Sequence, residues 1–278
     1  MVIGSGGLRC VSAFGVLQVL QREGIAIDLV VACSGGALAG YWIASGRDDP
    51  AEGIAEFIDG WLGAFDRLAY RKILGAVFPR LLGFDARFGV MSDRAINAAL
   101  AGYVADTRFD DLDMPLHFVA TDVHSGEKVV LADGPVFDAM RATIAIPLVI
   151  PPWAVDGRLL MDGALCDPMP VDVAIREGAD IILAVGFEES LQTEIGSGID
   201  LSKQVIAVAT NHLLRAQFAF QSMVHHAEVI AILPDFGRPV GLRDTHLISH
   251  LVARGAAAAE AEMPYLRRLI EHAAEVRA

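Results

Sequence analysis

Hydrophobic positions along the chain follow two periodicities. Short apolar runs bounded by Gly, Asp or Pro have the length and β-branched content of buried strands, whereas longer stretches repeat their apolar residues at helical spacing. This pattern predicts a first strand that ends near Gly4 and later strands at 28–33, 116–122, 128–132, 159–161, 181–187 and 229–233. It predicts helices at 12–23, 35–45, 137–143 and 202–226, and more helix toward the C-terminus. Strands that alternate with helices without a linker favour one α/β domain with a mostly parallel sheet.

The most abrupt change from strand pattern to helix pattern lies between the strand at 28–33 and the following helix. Ser34 lies on that turn, in the string Ala32-Cys33-Ser34-Gly35-Gly36. Small residues on both sides permit a tight turn that lifts a serine hydroxyl clear of the sheet, beside the amides of the helix N-terminus. The string is G-x-S-x-G with Ala32 in place of the first glycine. Ser34 is therefore a candidate nucleophile, and the alternative is a serine that only caps the helix.

A glycine-rich turn follows the first strand, at Ser5-Gly6-Gly7-Leu8-Arg9. Consecutive glycines let the backbone approach a ligand closely and present free amides, as an anion or oxyanion site requires. A dinucleotide-binding loop uses the same physics, but its G-x-G-x-x-G fingerprint would place the last glycine at Arg9. The strand that would carry its acidic residue, Asp28, also runs directly into the serine turn. An oxyanion site is therefore favoured over a dinucleotide site.

Composition and charge narrow the possible partners. The chain has 278 residues, 54% of them hydrophobic, and a net charge of −13, which argues against nucleic acid because phosphate binding relies on clustered Lys and Arg. The three cysteines are widely spaced, which suits reduced thiols in the cytoplasm. Neither the spacing of a zinc site nor that of a calcium-binding loop occurs, so no metal is expected. No leader pattern and no membrane-length apolar run is present. We therefore expect a cytoplasmic protein that is soluble or at most peripheral at a membrane.

The stretch from Pro50 to Gly89 is helical in pattern but unusually apolar for a surface region. Residues 58–88 are also locally positive in this acidic chain. They contain five cations, Arg67, Arg71, Lys72, Arg80 and Arg87, against three aspartates, Asp59, Asp66 and Asp85. Ordinary helices packed on the core would account for the apolar content. The alternative is a cap whose apolar side meets acyl chains and whose cations meet lipid head groups.

Three motifs, in this order and widely separated, carry a resemblance to a known family. The glycine turn Gly6-Gly7-Leu8-Arg9, the serine turn Ala32-Cys33-Ser34-Gly35-Gly36 and the string Asp162-Gly163-Ala164 are similar to the oxyanion loop, serine elbow and D-G-G/A motif of the patatin-like phospholipase family. Residues 141–147 are similar to the segment before the family's catalytic Asp, and 167–170 to the N-x-x-P-like stretch after it, with Asp167 in place of Asn. The resemblance implies a patatin-like three-layer α/β/α sandwich that forms a single domain over 1–278.

The resemblance also implies roles for individual residues. Ser34 would be the nucleophile, and Asp162 would take its proton directly, without a histidine. The amides of Gly6 and Gly7 would stabilise the oxyanion. Arg9 would brace the loop or attract a phosphate rather than react. The predicted oxyanion and substrate-binding residues are Gly6, Gly7, Leu8, Arg9 and Gly35.

These implications lead to a hypothesis of function. The chain is expected to be a lipid acyl hydrolase that cleaves ester bonds of phospholipid, lysophospholipid or a simpler glyceride through an acyl-serine, without a cofactor. An acyltransferase or a thioesterase would use the same acyl-serine. A binding protein that has lost turnover is the other class, suggested by Ser5, Cys10 and Ala32, which stand where the family often has glycine. The expected partner is a lipid or another acyl ester, and the sequence sets no oligomeric state.

Overall fold

The strands of the computed structural model form one sheet with helices on both faces. The structure describes residues 1–64, 86–189, 191–196, 198–224 and 227–277. The strands are β1 (Val2–Ile3), β2 (Val30–Cys33), β3 (Leu116–Asp122), β4 (Lys128–Leu131), β5 (Trp153–Val155), β6 (Arg158–Asp162), β7 (Ile181–Val185) and β8 (Glu228–Ile232). The helices are α1 (Ser12–Arg22), α2 (Gly36–Ala44), α3 (Pro50–Ala64), α4 (Asp93–Val104), α5 (Val136–Thr143), α6 (Val171–Arg176), α7 (Gly198–Val224) and α8 (Ile248–Arg277).

The sheet is mostly parallel, as the alternation of strands and helices predicts. Hydrogen-bonded neighbours follow the path β5-β6-β3-β2-β1-β7-β8, in which β6 and β2 pair with successive parts of one edge of β3, and β4 pairs with its other edge. Pairing is parallel in β3–β2, β2–β1, β1–β7 and β7–β8. It is antiparallel in β3–β4, β3–β6 and β5–β6. Two antiparallel hairpins, β3–β4 and β5–β6, extend the sheet. Because helices connect the parallel strands, the carboxyl ends of those strands meet at one edge of the sheet.

Alternation along the strands divides the core into two layers. Ile3, Ala32 and Val185 belong to one layer, which is covered by α1 to α5 and α8. Val2 and Val31, their neighbours along the chain, belong to the other layer, which is covered by α6 and α7. A strand buried on both faces is apolar at every position, which is why these strands are continuous apolar runs in the sequence. The predicted arrangement of three layers is confirmed.

One helix begins a turn earlier than the pattern predicts. Ser202 was the expected start of the long helix, but α7 begins at Gly198. The Ser202 hydroxyl donates to the Gly198 carbonyl (2.8 Å), so it bonds backward within the first turn instead of capping it.

The segment predicted as a cap is described only at its two ends. Its start belongs to α3, where the rings of Phe57 and Trp61 stack with centroids 5.8 Å apart and both side chains are buried. Trp61 Nε1 also donates to the Leu242 carbonyl (2.7 Å), so this part is core helix. Residues 65–85 lie outside the described residues, and the cap across 58–88 stays a prediction. None of the described helices combines the length and hydrophobicity needed to cross a bilayer.

Candidate active site

The register of the sheet brings the ends of β2 and β6 together. Both β4 and β6 pair with Ala120, so they lie on opposite edges of β3. Both β2 and β4 pair with Val119, so β2 lies on the same edge as β6. Cys33, at the end of β2, opposes Val119, and Asp162, at the end of β6, opposes Ala120. Since the chain leaves β2 at Ser34, this residue and Asp162 arrive at the same point along β3.

Ser34 adopts a strained backbone conformation between β2 and α2. Its φ is +55°, in the left-handed region that costs a residue with a Cβ about 1–2 kcal/mol. The Ser34 amide donates to Thr143 Oγ1 (2.9 Å), and the Thr143 hydroxyl donates to the Val119 carbonyl (2.6 Å). Thr143 therefore ties the strained turn to β3, which offsets part of the strain.

The glycine loop packs directly on this serine turn. A Cβ on Gly35 would lie 2.5 Å from the Gly7 carbonyl oxygen, so a larger residue cannot occupy that position without a shift. Gly7 itself has φ +56°. Within the described part of the chain, the N–H groups of Gly6, Gly7 and Leu8 have no hydrogen-bond acceptor. The Arg9 N–H instead donates to the Gly6 carbonyl (3.2 Å). The loop thus keeps three unused backbone donors next to the serine turn.

Ser34 and Asp162 are in direct contact. Ser34 Oγ donates a hydrogen bond of 2.6 Å to Asp162 Oδ2. The other carboxylate oxygen accepts from the Ala164 amide (2.9 Å), and the Thr121 hydroxyl donates to the Asp162 carbonyl (2.8 Å). Burial raises the pKa of Asp162 to about 7; the Glu189 carboxylate adds to the rise, and the hydrogen bonds from Ser34 and Ala164 oppose it. A carboxyl that titrates near neutrality can take up and return a proton at physiological pH.

Arg9 is buried beneath the loop, and its charge is balanced there. Its Nε donates to the Gly6 carbonyl (3.0 Å), Nη1 donates to the Glu188 carbonyl, and Nη2 pairs with the Glu189 carboxylate. Glu189 is anchored in turn, because its N–H donates to Asn211 Oδ1 (2.7 Å) and its carbonyl accepts from Asn211 Nδ2 (2.9 Å). Of the two roles predicted for Arg9, this geometry favours bracing the loop over attracting a phosphate.

A cavity of about 290 Å³ opens beside the contact between Ser34 and Asp162. Its volume is near the lower end of the ~300–1,000 Å³ typical of ligand sites. Its apolar lining includes Ile146, Pro147, Val149, Leu165, Ile206, Ala207, Val240 and Leu242. Its polar lining includes Glu189, Gln192, Gln204 and Thr210. None of the described residues that line it is a histidine.

A buried ion pair supports the segment that follows Asp162. Asp167, which stands where the family pattern has Asn, is 1% exposed, and its Oδ2 accepts from Lys128 Nζ (2.8 Å). The Asp167 N–H donates to the Gly163 carbonyl (2.8 Å). Lys128 also binds Asp172 (2.6 Å). Burial raises the pKa of Asp167, and the Lys128 charge opposes that rise. The aspartate is thus accommodated here because a lysine on β4 reaches it.

We expect Lys128→Met to destabilise the protein by about 3–5 kcal/mol, the usual cost of leaving a buried charge without its partner. The double variant Lys128→Met/Asp167→Asn should recover most of that loss, because the amide removes the buried charge. The free energy of unfolding in urea, measured for both variants and for Asp167→Asn alone, tests this. Losses in the double variant that equal the sum of the two single losses would show that the pair is not coupled.

The structure places the predicted site residues in two positions. Ser34, Asp162 and the loop residues 6–9 all line the cavity. Gly35 is not among the residues that line the cavity and packs on Gly7. Two residues of the site were not predicted. Thr143 is a buried polar residue between apolar neighbours in the 141–147 segment, a signal that could have found it. Glu189 carries no such signal in the sequence. Among the described residues, no group of three or more His, Cys, Asp or Glu side chains could hold a metal ion.

Known proteins are similar to this chain over most of its length. A family model described as patatin-like phospholipase matches residues 1–175. An uncharacterised NTE family protein of Mycobacterium tuberculosis is 34% identical over 219 residues, which are 79% of this chain and 56% of the relative. Patatin-like phospholipase domain-containing protein 7 of Mus musculus is 26% identical over 197 residues, which are 70% of this chain and 14% of the relative. The chain thus spans less than two thirds of the length of these curated relatives.

A solved structure shares the fold. The crystal structure of VipD from Legionella pneumophila superimposes with a TM-score of 0.55 at 14% identity, covering 93% of this chain and 65% of that one. The family model matches a shorter stretch of this chain than the superposition covers, but that stretch includes the glycine loop, the serine turn and Asp162. On that match, this chain belongs to the patatin-like phospholipase family.

Proposed function

We propose that this protein is a lipid acyl hydrolase that cleaves carboxylic ester bonds through an acyl-serine intermediate. The observation that carries the proposal is the 2.6 Å hydrogen bond from Ser34 Oγ to the buried Asp162 carboxylate. Membership of the patatin-like phospholipase family supports lipid esters, of phospholipid, lysophospholipid or glyceride, as the substrates. The mostly apolar cavity beside the pair suits an acyl group.

In the first step, Ser34 Oγ attacks the ester carbonyl carbon while Asp162 accepts the hydroxyl proton. A serine hydroxyl is a weak nucleophile until a base takes its proton. Asp162 Oδ2 is within hydrogen-bond reach of Oγ, and its raised pKa makes it a stronger base than an exposed aspartate. Its second oxygen stays bonded to the Ala164 amide, which holds the carboxylate in place.

The tetrahedral intermediate carries a negative charge on the former carbonyl oxygen. The unused N–H groups of the glycine loop would bind this oxyanion, with Gly6 and Gly7 as the proposed donors and Leu8 next to them. The N-terminus of α2, directly after the serine turn, adds a favourable dipole. Collapse expels the alcohol, which takes the proton from Asp162, and leaves the acyl group on Ser34.

Water completes the cycle. Asp162 accepts a proton from water as it attacks the acyl-serine, a second oxyanion forms in the same place, and the fatty acid leaves as Ser34 regains its proton. An acceptor alcohol in place of water would give acyl transfer, so competition by added alcohol separates the two reactions. The direct contact of Ser34 with Asp162 supports turnover over a binding protein that has lost it.

We propose the cytoplasm as the place of action. Cys10, Cys33 and Cys166 are all free thiols. Free thiols are typical of a reducing compartment, where disulfides do not persist.

The pH profile tests the role of Asp162. Because only the ionised carboxylate can accept a proton, and its pKa is raised to about 7, kcat/KM should be half-maximal near pH 7 and fall as the pH is lowered. Glu189→Gln should move this midpoint to lower pH, since the Glu189 charge raises the pKa of Asp162. Hydrolysis of a soluble 4-nitrophenyl ester, followed from acid to alkaline pH, measures both effects.

The matched control is Glu188→Gln. That carboxylate pairs with the exposed Arg215 instead (2.8 Å), so its removal should leave the midpoint in place. A midpoint near pH 4 in the parent, or an upward shift in Glu189→Gln, would contradict Asp162 as the general base. Absence of ester hydrolysis at any pH would overturn the proposed function itself.

A further inference from the structure

Few of the side chains that line the cavity beside Ser34 are charged, and most of those are acidic. Among the described residues that line it, Arg9 is the only basic one, against Asp162 and Glu189. The Arg9 side chain is 5% exposed, and the Glu189 carboxylate balances its charge. A bound anion would therefore find no unpaired cation among these residues, because the single positive charge is already paired.

Arg9 is also engaged at each of its three guanidinium nitrogens. Nε donates to the Gly6 carbonyl (3.0 Å), Nη1 donates to the Glu188 carbonyl, and Nη2 pairs with Glu189. To bind a phosphate, the guanidinium would have to break these contacts and release the loop that holds the proposed oxyanion donors. Arg9 therefore stabilises the loop and offers little attraction to a substrate anion.

A second, much smaller cavity also opens at Ser34, with a volume of about 10 Å³. It shares Ser34 and Ile146 with the larger cavity, and the residues around it include Leu38, Trp61 and Ile150. None of the described residues that line it is charged. An ester bound at Ser34 thus meets no unpaired cation from the lining of either cavity, whichever way its acyl and alcohol parts lie.

The other polar side chains of the larger cavity are uncharged, and they include Gln192, Gln204 and Thr210. A carboxamide and a hydroxyl can each donate and accept hydrogen bonds, which suits the free hydroxyl groups of a glycerol leaving group. A phosphate is bound best by charge-assisted donors from Arg or Lys. The lining thus favours an alcohol that carries hydroxyl groups over one that carries a phosphate.

From this charge distribution we infer that the substrate is a neutral glyceride, a monoacylglycerol or diacylglycerol, rather than a phospholipid or lysophospholipid. The inference rests on the proposed function and deepens it by naming the substrate class. Burying a phosphate in a mostly apolar cavity is costly when no cation pairs with it. The Glu189 carboxylate and the ionised form of Asp162 would also repel it, since both line the cavity. A glyceride carries no charge and escapes both costs.

The test compares soluble substrates that share one ester bond and differ only in the phosphate. These are 1-butyrylglycerol, 1-butyrylglycerol 3-phosphate and 1-butyrylglycero-3-phosphocholine, and release of butyric acid is followed by titration at constant pH. For the parent protein, kcat/KM should be at least about tenfold higher for the glyceride than for either phosphate ester, because only the phosphate esters bring an unpaired anion into the cavity.

A variant of Glu189 tests the physical cause. Glu189→Gln removes one carboxylate from the cavity and leaves Arg9 without its partner charge, so the preference for the glyceride over the phosphate esters should fall by at least about threefold. Any effect on Asp162 is common to all three substrates and cancels in this ratio. The matched control is Glu188→Gln, whose carboxylate pairs with Arg215 (2.8 Å) and does not line the cavity, and it should keep the ratio of the parent.

Hydrolysis of 4-nitrophenyl butyrate separates this inference from the proposed function. If the parent cleaves that ester but acts equally well or better on either phosphate ester than on the glyceride, or leaves the glyceride intact, the inference is overturned and the hydrolase is retained. A ratio that Glu189→Gln leaves unchanged would overturn the charge argument. Absence of hydrolysis of every ester would refute the proposed function instead. The comparison of substrates in the parent decides the inference even if Glu189→Gln fails to fold.

Discussion

Ser34→Ala and Asp162→Asn should each lower kcat for a soluble 4-nitrophenyl ester by at least about 10³-fold, because nucleophile and base act as one unit. For the same reason the double variant should be no slower than either single variant. A fluorophosphonate probe should label the parent at Ser34 and leave Ser34→Ala unlabelled, and intact mass measures this. Near-normal turnover in Asp162→Asn would refute the dyad and require another base.

These variants should remain folded, which makes the loss of activity interpretable. Asn at position 162 can still accept from the Ala164 amide and donate to Ser34 Oγ, so both contacts of the side chain survive. The raised pKa of Asp162 gives a further check. Its ionisation costs stability as the pH rises from about 4 toward its folded pKa of about 7, while Asn stays neutral. The melting temperature of Asp162→Asn relative to the parent should therefore be higher at pH 8 than at pH 4.

Gly7→Val should lower kcat by about 10²–10³-fold, the usual loss when one oxyanion donor is displaced. Gly7 has φ +56°, which a β-branched residue does not tolerate, and a Cβ there would lie 3.1 Å from Leu242 Cδ2. The loop must therefore shift, and its amides with it. Because the oxyanion develops only along the reaction, KM should change much less than kcat.

The matched control for Gly7→Val is Gly24→Val. Gly24 has a similar φ of +66°, and a Cβ there would meet no atom within 4 Å. It should cost comparable stability through the backbone but leave kcat unchanged. An unchanged kcat with a raised KM in Gly7→Val would instead identify the loop as a ground-state binding site, with the oxyanion bound elsewhere.

The sequence was sufficient for those features that depend on local physical rules. Buried strands such as 181–185 are apolar at every position, so their periodicity revealed a parallel sheet covered on both faces. The small residues around Ser34 indicated a tight turn, because a larger side chain would clash with the crossing backbone; the structure shows Gly35 packed against the Gly7 carbonyl. The third motif, Asp162-Gly163-Ala164, was found only through its resemblance to a family, since an Asp-Gly pair alone is usually a turn.

The tertiary structure decided which groups meet and how their charges are balanced. The contact of Ser34 with Asp162 depends on the register that ends β2 and β6 at adjacent residues of β3. The two strands are far apart in sequence, so their register is fixed only when their apolar faces pack together in the folded sheet. The same holds for Glu189, which reaches Arg9 and adds to the pKa of Asp162 across a long sequence separation. Local spacing therefore determined the elements and their turns, while long-range packing determined the chemistry of the site, because burial and electrostatic coupling exist only once the chain has folded.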